Sequence, residues 1–64
     1  MNRKFIEMII ELAKNGVLRS DIIRLSSEWH LRQKDAGKCI AEAKKQGMYS
    51  VSGMVQGDTY YQFS

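Results

Sequence analysis

The apolar residues of this chain change their period at Gly47. Before it they recur every three to four positions, the repeat of helices that bury one side; after it they alternate, the repeat of strands. A chain divided in this way folds as a run of helices closed by a small antiparallel sheet. Its 64 residues leave room for one such unit around a single core and none for a second lobe. The expected class is mainly α with a small β-hairpin (α+β), one domain over residues 1–64.

Residues 3–14, RKFIEMIIELAK, place Phe5, Ile6, Met8, Ile9, Ile10, Leu12 and Ala13 within about 200° of arc, with Arg3, Lys4, Glu7, Glu11 and Lys14 opposite. Asn2 is the expected N-cap and Asn15-Gly16 the expected stop, because an Asn oxygen accepts from the first free N–H groups and glycine takes positive φ at little cost. A helix lying on one neighbour needs a stripe of roughly 100°. The wider arc therefore predicts either two packed layers or a strip at Ile6 and Ile10 left for a second chain.

Val17-Leu18-Arg19 is a short link, long enough for a stub of strand. Ser20, followed by Asp21, reads as the N-cap of a second helix that ends near His30 and carries Ile22, Leu25, Ser26 and Trp29 on one face. The third helix, about 33–46, has a narrow seam of Ala36, Ile40 and Ala43 running to Gly47. On its opposite side Lys34, Lys38, Ala41 and Lys45 fall within about 60° of one another. Beyond Gly47, Tyr49 and Val51 alternate with Ser50 and Ser52, and Thr59, Tyr61 and Phe63 with Tyr60 and Gln62. This predicts two strands that turn Tyr49, Val51, Tyr61 and Phe63 to the core. The connection is a seven-residue loop, Ser52–Asp58, with Met54-Val55 either inside it or extending the pairing.

Residue counts narrow the chemistry. Cys39 is the only cysteine and His30 the only histidine, so neither an intramolecular disulfide nor a Cys/His zinc site can be assembled. Cys39 reads as a small semi-buried hydrophobe, His30 as a helix-end residue and Trp29 as core. Glu7 and Glu11 sit among Arg3, Lys4 and Lys14 as a solvated face, and no glycine-rich phosphate loop occurs. Neither an enzyme nor a cofactor is expected. No apolar run is long enough to span a membrane, and Met1-Asn2-Arg3-Lys4 leads into an amphipathic stretch rather than a continuous apolar segment, which predicts a cytoplasmic protein.

Ten Lys+Arg against seven Asp+Glu give a net charge of +3. Residues 1–48 hold all the basic residues, and Asp58 is the only charge in residues 49–64. A positive balance of this kind suits nucleic acid or an acidic protein surface.

Leu25-Ser26, then Trp29, Leu31, Ala36, Ile40, Ala43 and Gly47-Met48-Tyr49 resemble the spacing of small winged helix-turn-helix DNA-binding regulators of bacteria and phages. The closing Asp58-Thr59-Tyr60-Tyr61-Gln62-Phe63 looks like the aromatic second wing strand of the compact type found in fimbrial operons. The likeness covers nearly the whole chain and implies three helices followed by a two-stranded wing.

Carried over position by position, it implies double-stranded DNA as partner and the third helix as the element that enters the major groove. Arg32, Gln33, Lys34, Lys38 and Lys45 would face bases or flanking phosphates, with Gln33 suited to adenine and a lysine to guanine or phosphate. Ser20 and the amides opening the second helix would hold a further phosphate. The wing has no Lys or Arg, which makes it structural rather than a second grip. Specificity implies pairing into a homodimer through Ile6 and Ile10 or through Tyr60 and Met54. Two other readings stay open. In one, the fold is a protein-interaction module that modulates a polymerase, nuclease or repressor in the transcription machinery; in the other, Lys38 pairs with Glu42 and the lysine stripe is an ordinary solvated face.

Overall fold

A computed structural model describes residues 2–55 and 57–63, and for residues 52–55 the backbone alone. Its elements are α1 (Arg3–Asn15), β1 (Val17–Leu18), α2 (Arg19–Glu28), α3 (Gln33–Lys45), β2 (Met48–Val55) and β3 (Asp58–Phe63). The class is α+β. The hairpin expected after α3 is present and gains a third member, because the Val17–Leu18 stub pairs antiparallel with Tyr61 and Tyr60 of β3 to give the order β1-β3-β2.

The first helix begins and ends where its residues dictate. Asn2 Oδ1 accepts from the Phe5 amide at 3.0 Å, and Gly16, at φ 96°, takes the chain out of the helix. A side chain at Gly16 would meet the Tyr60 hydroxyl as well as backbone strain, since a Cβ there would lie 1.6 Å from that oxygen. The wide apolar arc is used by two layers: α1 packs on α3 and also on β3. Phe5, Ile6, Ile9 and Ala13 are buried, and Met8, Ile10 and Leu12 lean on the same cluster. Of the two alternatives, two packed layers or a strip left for a second chain, the structure takes the first: the protein's own interior covers Ile6 and partly covers Ile10.

Helix α2 starts two residues earlier than its sequence suggests. Leu18 is the N-cap and offers no side-chain hydrogen bond, while Ser20 stands inside the first turn, so Ser20 is not the cap. The capping oxygen comes from elsewhere, as described below. At the other end α2 stops at Glu28 in a Schellman arrangement: the His30 amide donates to Ser27 O at 3.0 Å and the Leu31 amide to Ser26 O at 2.9 Å. His30 takes the left-handed position at φ 59°, where a residue with a Cβ carries roughly 1–2 kcal/mol of strain. That turn redirects the chain into α3, whose buried side is Ala36, Cys39, Ile40 and Ala43. Three of these are small, so α1 and α3 approach closely. Trp29 closes the end of the core edge-on to Phe5, with ring centroids 5.3 Å apart and planes at 62°.

The strand phase of β2 differs from expectation. Directly opposed residues share a face of the sheet, and the register sets Met48 against Phe63 and Ser50 against buried Tyr61. Met48 is consequently the residue that enters the core, and Tyr49, expected inside, is 46% exposed on the other face. The long loop also contracts. Val55 lies opposite Asp58, so β2 runs through most of the expected loop, with a register shift between Val51 and Val55 that marks a bulge. The Met54 side chain, expected above as part of a pairing surface, lies outside the described residues, as does Gln56.

Candidate nucleic-acid interface

The inner side of α3 is fixed by Ala36, Cys39, Ile40 and Ala43, and this fixes its outer side too. At about 100° per residue, Lys34, Lys38, Ala41 and Lys45 point away from that seam, and all four are exposed. The described ion pairs are Lys14–Glu11 on α1 and Arg24–Asp21 on α2; among the described residues no lysine of α3 is paired. The Lys38–Glu42 alternative is thus not adopted. Ala41 and Gly37 keep this face shallow between the lysines, and a Cβ added at Gly37 would find nothing within 4 Å.

Arg32 and Gln33 open the same helix, exposed, with Arg32 as an N-cap that makes no side-chain bond. The amides of the first turn of α3 therefore have no side-chain cap. Lys44 has a different role: its ammonium lies 5.5 Å from the centre of the Tyr61 ring, and Arg19 donates to the Tyr61 hydroxyl at 3.5 Å. These two cations clamp the buried tyrosine of β3 and sit apart from the outer stripe. The structure sets Gln33, Lys34, Lys38 and Lys45 on α3 with Arg32 at its N-cap, and leaves Ser20 on another helix.

The amide of Ser20 donates to Asp58 Oδ1 at 3.3 Å, and the same oxygen accepts from the Thr59 amide at 2.9 Å. A carboxylate from the start of β3 therefore supplies the cap that Leu18 lacks, at the positive end of α2, where a phosphate was expected. A contact across 38 positions leaves no local signal in the sequence for this role of Asp58.

Hydrogen bonding from the Ser20 side chain, followed by the Ser20 and Thr59 amides and the nearby Arg19 charge, holds the Asp58 carboxyl below its ordinary value of 3.8. A carboxyl depressed by folding adds stability above its unfolded pKa and loses it as pH falls through the folded value. Asp58→Ala is accordingly expected to melt at a lower temperature than the parent at neutral pH. Thermal melts on descending pH should show the difference shrinking below about pH 4 and vanishing once the parent carboxyl is protonated.

Among the described residues, grooves of about 460 Å³ lie at two places away from the lysine row of α3. One, between α1 and α3, is lined by Arg3, Ile6, Glu7, Glu42 and Gln46; the other runs by Leu12, Gly16, Leu18, Leu25 and Tyr60. Neither contains a cysteine or histidine. Among the described residues no group of three or more His, Cys, Asp or Glu is placed to hold a metal, and no helix is long and apolar enough to cross a membrane. In comparisons with known proteins, the chain matches no family model, no curated protein and no solved structure.

Proposed function

We propose that this chain is a winged helix-turn-helix domain that binds double-stranded DNA as a small cytoplasmic transcriptional regulator, with α3 in the major groove. The observation that carries this reading is the row of Lys34, Lys38 and Lys45, exposed on the outer side of α3 and free of intramolecular ion pairs among the described residues. An ammonium paired to a neighbouring carboxylate gains little from a phosphate; an unpaired one gains the full release of condensed counterions. The element order supports the same reading, since a helix, a short strand, two helices joined by a tight turn and a final hairpin make up the winged arrangement.

In this reading Lys34, Lys38 and Lys45 meet phosphates or guanine edges, Arg32 meets the backbone beside the start of α3, and Gln33 is placed to read adenine. Ser20 is not part of the interface, because its amide is already committed to Asp58. The hairpin braces the core through Met48, Tyr61 and Phe63 instead of gripping DNA.

Four or five phosphate contacts imply a log–log salt slope of about −3.6 to −4.5, at about −0.9 per contact. A mobility shift of the purified protein on random and genomic duplex, titrated with salt, tests this. Binding that weakens with that slope supports the reading; no duplex binding at roughly 50 mM salt ends it. The exposed Tyr49 and the charge-poor hairpin favour the second reading, a module that docks on another protein. Failure of duplex binding together with a protein partner lost on Tyr49→Ala would establish that one instead.

A further inference from the structure

We infer that the free edge of β2 is a self-association surface, across which a second copy of this chain adds its own β2 antiparallel about a two-fold axis. The two edges of the sheet are unequal. At one side β1 is two residues long and α2 packs beside it. At the other, β2 runs eight residues, pairs with β3 alone, and contributes no backbone hydrogen bond to any further element among the described residues.

Long edge strands invite foreign pairing, and monomeric proteins defend them with lysines, prolines, inward charges or bulges. The sequence Met48-Tyr-Ser-Val-Ser-Gly-Met-Val55 contains no charge and no proline. Its one defence is the bulge, which lies beyond Val51 and leaves Met48–Val51 unprotected. At this edge the outer face of the sheet is apolar as well. Leu18, Tyr60 and Val51 stand opposite one another on all three strands and so share a face, and Tyr49 lies beside them at the rim, the one exposed large hydrophobic among the described residues. A second β2 would continue that rung.

Charge selects a second copy as the occupant. The chain is net positive, yet residues 49–64 carry only Asp58, whose carboxylate is tied to α2. Two identical hairpins can approach each other without like-charge repulsion between them. An uncharged strand offers no attraction to an acidic or basic peptide, whereas antiparallel pairing of identical edges satisfies both copies equally. This inference does not rest on DNA binding, and its test contains no DNA.

Sedimentation equilibrium of the full chain from roughly 10 μM to 1 mM should show a monomer–dimer equilibrium of about micromolar strength, as a small interface implies. Tyr49→Lys places like charges about the two-fold axis and should weaken it about tenfold or more, with an unchanged melting temperature in dilute solution, where both proteins are monomeric and the position is exposed. Hydrogen exchange of the parent protein supplies a readout that needs no variant: the outward amides among Met48–Val51 should gain protection as concentration rises, and those of α1 should not. A monomer throughout the range overturns the inference. So does a dimer whose strength Tyr49→Lys leaves unchanged and whose β2 amides show no dependence on concentration, or a monomer that takes up only an unrelated extended peptide at this edge.

Discussion

Replacing Lys34 and Lys38 together with Ala is expected to flatten the salt dependence of duplex binding by about 1.8 in log–log slope, two contacts at about 0.9 each. The parent, with four or five contacts, should lose about 150- to 500-fold in affinity between roughly 50 and 200 mM salt, and the double variant only about 10- to 50-fold. Both lysines are exposed and unpaired on the side of α3 turned away from its core seam, so their removal should leave the melting temperature nearly unchanged. The control is Lys14→Ala. That lysine is also exposed but engaged with Glu11 at 2.9 Å on α1, and its loss should not alter the slope. A double variant that binds duplex with the parental slope would place the interface away from α3. If the double variant and the Lys14 control flattened it equally, binding would reflect net charge and no particular helix face. Gln33→Ala is expected to behave differently from both, changing the preference among duplex sequences and not the slope, because an uncharged amide releases no counterion.

Most of the helical structure is legible in the sequence because one period governs each segment. In α1, Phe5, Ile6, Ile9 and Ala13 are spaced to share a face, and the caps Asn2 and Gly16 act through bonds three residues long or less. The same holds for α3, where three small or short residues and Ile40 define the inner side and thereby expose the lysines. The hairpin is legible in existence but not in phase. Within Met48–Val51 either alternate pair is partly apolar, Met48 with Ser50 or Tyr49 with Val51, and only the pairing with Phe63 and Tyr61 decides which pair faces inward. The stub β1 is too short for any period to announce it as a strand; it is one because Tyr60 and Tyr61 lie alongside.

The site divides in the same way. Lys34, Lys38 and Lys45 could be named from helical spacing, since one face of α3 carries them, whereas Arg32 and Gln33 at its start are implied by the resemblance alone. Ser20 could not be judged without β3: a serine before an acid reads locally as a cap, and the oxygen that performs the capping belongs to Asp58, far along the chain. Lys44 is one residue from Lys45 and has a different task, because 100° of rotation carries it from the open face to the ring of Tyr61.

Phe5→Ala is expected to be the most damaging single substitution outside glycine. The ring is fully buried where α1 meets the rest of the core, and it stacks edge-on with Trp29 at the end of α2. Truncating a buried Phe costs about 3–5 kcal/mol in lost burial and residual cavity, and the loss of the aromatic pair adds about 0.5–1.5 kcal/mol. At about 0.05–0.15 kcal/mol per residue, a chain of 64 residues holds only about 3–10 kcal/mol against unfolding. With neither a disulfide nor a metal group among the described residues to brace it, the variant should be substantially unfolded at 25 °C or melt far below the parent. Trp29 reports the change directly. Urea titration followed by its fluorescence and by far-UV circular dichroism should give coincident transitions in the parent, and in Phe5→Ala a midpoint near zero denaturant. Phe5→Leu, which refills most of the volume, should recover the larger part of the loss. A Phe5→Ala protein that kept the parental midpoint would mean that α1 is not packed across the core, and with it would go the argument that the inner face of α3 is occupied and its lysines turned to solvent.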